Sequence, residues 1–164
     1  MQDFNNFINF RKQLYRRFME NKATLADLIH GSFNYIKQHK LKPVARPTNR
    51  EEVLLNYFYW QIYIERKVMV EISLIDQGLG SKDKLAEVSF MYLKRRDQMI
   101  RRLFFDFKEP IKEAYIIHDD VVEIILNDGT ILYSTHDSLS KVKIHITNIK
   151  KTVQPKYIPA IRLK

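Results

Sequence analysis

The sequence predicts an α+β fold: about four helices, including a long antiparallel helical hairpin, packed on an antiparallel sheet of four to five strands. Three observations carry this expectation. Apolar residues recur at helical spacing up to about residue 107. After Pro110 they fall into short runs of β-branched and aromatic residues with a period near two. The chain has 164 residues with 45% hydrophobic and 29% charged side chains, which suits one domain with a real core. We therefore expect a single domain, 1–164, with a helical half at 1–107 and a sheet half at 108–164.

The first helix is read from Phe4, Phe7, Ile8, Leu14, Tyr15 and Phe18, which share one face. Arg16 and Arg17 lie beside that face, so the helix could rest on an anionic membrane, but an ordinary amphipathic core helix is the expectation. Thr24 with Asp27 makes a capping box for a second helix carrying Leu25, Leu28, Ile29 and Ile36, ending near Lys40. Pro43 and Pro47 disfavour helix before them and mark a connector. Thr48 with Glu51 reads as a second capping box, opening a helix to about Asp76 that would be about 40 Å long. Residues 53–75 are apolar almost all the way round, which implies a central helix or one shared with an oligomer interface. Gly78 and Gly80 stop it, Ser81 caps the next, and the fourth helix runs to about Phe107.

In the second half, residues 114–117, 121–126 and 131–135 read as strands. Asn127, Asp128 and Gly129 form a hairpin turn between the last two, because these residues tolerate positive φ. Val142, Ile144 and Ile146 alternate with Lys143, His145 and Thr147, as in a strand with one wet face. Residues 157–163 suggest a last strand, with Pro159 placing it at an edge.

The formal net charge is +9, unevenly spread. Residues 1–50 carry ten Lys/Arg against three Asp/Glu, residues 51–140 eleven against sixteen, and residues 141–164 seven against none. Basic ends around an acidic middle suggest a polyanionic partner. At about 100° per residue, Lys94, Arg95, Arg101 and Arg102 fall within an arc of about 120° on the fourth helix. Guanidinium groups at that density suit phosphate oxygens. Lys141, Lys143, Lys150 and Lys151 would extend the positive footprint if they lie nearby. Arg96 points the other way, into the apolar face. Across a hairpin turning at Gly78 it falls opposite about position 62, so Glu65 is the acidic partner expected to share a buried register-setting pair with it.

His118, Asp119 and Asp120 follow the first strand, and His136 and Asp137 follow the third. In a meander those two loops lie at one end of the sheet. Imidazoles and carboxylates gathered there could hold a divalent metal and activate water for phosphoester hydrolysis. Turn chemistry alone also explains His and Asp at such positions. No cysteine is present, which removes disulfides, thiolate metal sites and cysteine nucleophiles. Glycine-rich phosphate loops and serine elbows are absent too.

The leading functional expectation is a non-enzymatic module binding nucleic acid through its backbone phosphates, with no cofactor. A protein-interaction or scaffold subunit is the second, with a homodimer through the third helix as one form of it and Tyr57, Tyr59, Trp60 and Tyr63 at the contact. A metal-dependent phosphoester hydrolase built on the His-Asp loops is the third. No apolar run reaches the ~20 residues that span a bilayer, the N-terminus lacks the apolar core of a signal peptide, and a cytoplasmic protein is expected.

Overall fold

The computed structural model describes residues 2–118, 121–140 and 150–151. Four helices come first: α1 (Gln2–Met19), α2 (Leu25–Gln38), α3 (Arg50–Asp76) and α4 (Lys82–Arg101). A single π-helical turn (Arg102–Asp106) extends α4. Strands β1 (Ile111–His118), β2 (Val121–Leu126) and β3 (Ile131–Thr135) follow, then a short helix α5 (His136–Ser140) and a two-residue strand β4 (Lys150–Lys151). The α+β class is as expected.

Local chemistry accounts for the helix boundaries. Thr24 and Asp27 form a reciprocal capping box, at 2.9 and 3.1 Å. The cap of α3 is displaced by one residue from the expected Thr48: Asn49 Oδ1 accepts from the Glu52 amide at 2.9 Å. Glu51 and Glu52 are adjacent, so either could serve as the third residue of a box, and Thr48 instead donates its hydroxyl to Glu52 at 3.0 Å. Ser81 caps α4. Between α3 and α4 the Leu79 amide returns to the Leu74 carbonyl at 2.8 Å, a closure that needs Gly78 at φ +76°.

The sheet order is β3-β2-β1-β4. β1, β2 and β3 form the expected antiparallel meander, with Tyr115 opposite Glu123 and Glu123 opposite Tyr133. Gly129, at φ +84°, turns the β2–β3 hairpin, and Asp128 Oδ1 accepts from the Thr130 amide at 3.0 Å. Of the four to five antiparallel strands expected, the described residues hold three. The fourth pairing, Tyr115 with Lys150 and Ile116 with Lys151, is parallel and spans two residues. After β3 the chain turns into α5 rather than into another hairpin, so it leaves the β3 edge and meets the sheet again on the far side of β1. The strands expected at 142–147 and 157–163 lie outside the described residues.

One apolar core joins helices to sheet, with Phe7, Leu54, Ile62, Ile100, Ile124 and Leu132 among its members. A smaller cluster of Phe18, Leu28, Ile117, Val121 and Tyr133 closes the other side of the sheet beneath α1 and α2. Phe4, Phe7 and Phe18 are all spent in these cores, so the apolar face of α1 packs inward. Among the described residues no helix is long and apolar enough to cross a membrane.

A buried polar network runs through this core. Arg96 is 2% exposed, and its Nη1 donates to Gln61 Oε1 at 2.9 Å. Gln61 Nε2 donates to Glu65 Oε1 at 3.0 Å, and Arg11 meets Glu65 at 3.4 Å and the Ser32 hydroxyl at 2.7 Å. Asp97 completes the set, 3.4 Å from Arg96. The expected Glu65 and Arg96 thus share one buried network joined through Gln61, and the hairpin register, Arg96 against Gln61, is the one anticipated. Charges this deep are tolerable only when partnered, and a slip of one helical turn would separate them.

Candidate nucleic-acid interface

The α3–α4 hairpin decides what the basic side chains can do. On α4, Lys94 and Arg95 are exposed, while Arg101 and Arg102 are half-buried. Arg102 is already engaged: its Nη2 donates to the Pro47 carbonyl at 2.9 Å, and Asp106 lies 2.7 Å from its Nε. Its role is to tie the end of α4 to the connector before α3, which removes it from the freely presented set. Lys141 and Lys143 lie outside the described residues. Lys150 and Lys151 are placed by their backbone in β4, beside β1.

Arg95 is placed differently. Its guanidinium carbon sits 4.4 Å over the ring of Trp60 on α3. Trp60 in turn stacks on Tyr92 at 5.8 Å and meets Tyr59 edge-on at 4.9 Å. Tyr59 stacks on Tyr63 at 4.6 Å, and Tyr63 packs edge-on against Phe33 of α2 at 5.1 Å. The Arg66 guanidinium covers Phe33 at 4.1 Å. The result is one continuous belt across α2, α3 and α4, with rings in the middle and guanidinium groups at both ends. Cation–π contacts of this kind are worth about 0.5–2 kcal/mol each, depending on desolvation.

The Tyr59 phenol resists ionisation. Burial, followed by the hydrogen bond to Tyr63, pushes Tyr59 far above the ordinary phenol value. Phe90 and Phe105 are more than half exposed and Met91 nearly so, Phe90 and Met91 within one turn of Lys94 on α4 and Phe105 one turn beyond Arg101.

Of the four aromatic residues expected at a contact on α3, Tyr57 does something else. It is 1% exposed and faces the sheet. Tyr59, Trp60 and Tyr63 are half-buried and surface-facing. Sequence reasoning assigned these rings and the basic stripe to two different functional readings, whereas Arg95 sits on Trp60 and joins them. It missed Arg66, Phe33 and Tyr92. The available signal was the i, i+4, i+7 spacing of Tyr59, Tyr63 and Arg66, which puts ring, ring and cation in one row.

The His-Asp pair of segments is placed in part. β1 ends at His118, paired with Val121, and Val121 pairs with Thr135 just before His136. The backbone therefore brings both segments to one end of the sheet, two strand spacings apart, or about 10 Å. Asp119 and Asp120 lie outside the described residues. His136 and Asp137 are not in a loop as expected but open α5, whose first turn is capped by Thr135 Oγ1 accepting from the Ser138 amide at 3.0 Å. Among the described residues, no group of three His, Asp or Glu side chains could hold a metal ion.

Comparisons with protein-family models, with curated proteins and with solved structures gave no match.

Proposed function

We propose that this chain is a non-enzymatic nucleic-acid-binding module that takes a single strand across the α2–α3–α4 face. The observation that carries this reading is Arg95 seated on Trp60, because it makes the basic stripe and the aromatic cluster one surface. Unstacked bases lie well on aromatic rings and guanidinium planes, while the backbone tracks positive charge. Lys94 and Arg101 supply that charge along α4, and Phe90 and Phe105 offer further stacking platforms. The basic C-terminal residues Lys141, Lys143, Lys150 and Lys151 would add to the field that draws a polyanion in. A duplex keeps its bases stacked and would use only the charges.

Trp60 is the only tryptophan in the chain and stands at the centre of the belt, so its fluorescence reports on this surface alone. Titration with single-stranded RNA, single-stranded DNA and duplex DNA, at low and near-physiological salt, tests the proposal. Expected are quenching of Trp60 by a single strand, persistence near ~0.15 M salt, and weaker binding of the duplex. Arg95→Ala with Lys94→Ala should lower affinity by about tenfold and flatten the salt dependence. Absence of quenching together with absence of binding by anisotropy would sink the reading.

A protein partner is the second reading. It draws on Ile72 and Leu79 near the hairpin turn, 45% and 74% exposed, which nucleic-acid binding does not explain. Concentration-dependent sedimentation that is abolished by Leu79→Asp would favour it.

A further inference from the structure

A crevice of about 250 Å³ lies between α1, α3 and the open side of β3. Its location follows from the topology. β3 is an edge strand, and α1 and α3 close over that edge without filling it. The walls are apolar, from Ile8, Phe58, Ile131 and the ring of Tyr15. At the inner end are Tyr57 and Gln61, the latter part of the buried charge network. β3 also presents backbone here. The Tyr133 amide and carbonyl point away from β2 to meet the Tyr57 hydroxyl. With a period of two along the strand, those of Ile131 point the same way.

The charge of the lining is one-sided. Arg11, Lys12 and Arg16 belong to it, and among the described residues no Asp or Glu does. Arg11 is turned inward and engaged with Ser32 and Glu65. Lys12 and Arg16 are exposed at the rim. Lys12 Nζ donates to the Asp128 carbonyl oxygen at 3.4 Å. The Asp128 carboxylate is held by Arg50 at 2.8 Å on the far side of Lys12, where a more polar hollow of about 380 Å³ adjoins. Glu51 lines that hollow, and burial together with the nearby Glu123 raises the Tyr15 phenol, but neither glutamate lines the apolar slot, whose rim carries Lys12 and Arg16.

We infer that the crevice between α1, α3 and the β3 edge binds a small organic anion, a carboxylate carried on an apolar body. Lys12 and Arg16 would take the carboxylate at the rim, and the apolar walls would take the body. A dry 150 Å³ cavity accommodates benzene, so this volume suits a single ring on a short chain. The inference is independent of the nucleic-acid reading, since the belt on α2, α3 and α4 shares none of these residues.

The experiment uses the ¹⁵N-labelled full chain with three probes: 3-phenylpropionate, the uncharged 3-phenyl-1-propanol, and inorganic phosphate. Expected is saturable binding of 3-phenylpropionate, moving the amide resonances of Gly129, Thr130 and Ile131. The alcohol and phosphate should each bind at least about tenfold more weakly. Lys12→Gln with Arg16→Gln should cost the carboxylate a similar factor and leave the alcohol unaffected. Both side chains are solvent-exposed, and an unchanged melting temperature checks that the fold is intact. Equal binding of carboxylate and alcohol would overturn the anion claim, and equal binding of phosphate would overturn the apolar body. No saturable binding at millimolar 3-phenylpropionate, full affinity in the double variant, or shifts remote from the β2–β3 turn would overturn the site itself.

Discussion

The Tyr57 hydroxyl sits on the open edge of β3, accepting from the Tyr133 amide at 2.6 Å and donating to the Tyr133 carbonyl at 3.2 Å. One side chain from the middle of α3 thereby occupies both backbone groups of an edge-strand residue 76 positions away in sequence. Burial, the largest influence, drives its phenol far above the ordinary range despite the opposing charge of Arg96. The hydroxyl is therefore fixed as both donor and acceptor.

Tyr57→Phe leaves that amide and carbonyl buried without the hydroxyl. Unmaking buried hydrogen bonds of this kind costs about 1–3 kcal/mol. Chemical denaturation should show this loss with an unchanged denaturant slope, and faster hydrogen exchange should appear first at the Tyr133 amide. Stability equal to the parent would mean that the edge is satisfied by other means.

Arg96→Ala removes one of the two arginines from a buried network that also holds Arg11, Glu65 and Asp97. Leaving two buried carboxylates with Arg11 as the remaining guanidinium should cost about 3 kcal/mol, the low end of the range for breaking one side of a buried ion pair. The same truncation at Arg95, which lies at the surface on Trp60, should cost about 1 kcal/mol or less. Thermal melts of the two variants separate the neighbouring residues by role, and equal losses would contradict it.

Asp128 gives the fold an acid-sensitive clasp. Burial alone would raise its carboxyl, but the Thr130 and Arg50 hydrogen bonds outweigh that and hold it at about 2, against an ordinary 3.8. A depressed acid stabilises the folded state above its unfolded pKa and loses that contribution as pH falls through the folded value. The melting-temperature advantage of the parent over Asp128→Asn should be full at neutral pH. It should fade between about pH 4 and about pH 2. An advantage independent of pH would rule out the ionised clasp.

Glu123 has the opposite sign. Burial raises its carboxyl, and the hydrogen bond from the Tyr133 hydroxyl at 3.3 Å only partly offsets this. A raised acid binds its proton more tightly in the folded state, so its ionisation opposes folding as pH rises past the ordinary glutamate value. Glu123→Gln should therefore melt above the parent at neutral pH, and the gap should close below about pH 4. A lower melting temperature at neutral pH would show that the carboxylate earns its place through the Tyr133 bond.

Much of the fold was legible in particular residues. Gly78 and Gly129 announced their turns because each needs a positive φ. Thr24 and Ser81 announced their caps because a short oxygen must meet an amide two or three residues on. Ambiguity entered where two neighbours offered the same chemistry, as Glu51 and Glu52 did for the cap of α3. The parallel pairing of Tyr115 with Lys150 was not legible, since no local signal tells a strand which side of a sheet to join. The candidate sites divide the same way. A single helix gave the basic stripe of α4 through its periodicity. The contact of Arg95 with Trp60 depends on how α3 and α4 are rotated about their axes, which packing decides. The crevice draws on residues 8–16, 57–61 and 129–133, brought together by the tertiary fold alone.

The π-helical turn at the end of α4 has a consequence for how this chain can vary in length. There the Phe107 amide bonds to the Arg102 carbonyl, five residues back, at 3.2 Å. Such a turn holds one residue more than an α-helical turn of the same kind. It is therefore a place where a residue can be inserted or lost without threading the change through the rest of α4. A one-residue deletion at Phe105, the exposed member, would convert the turn to ordinary α-helix, while Lys94, Arg95 and Arg101 keep their bearings.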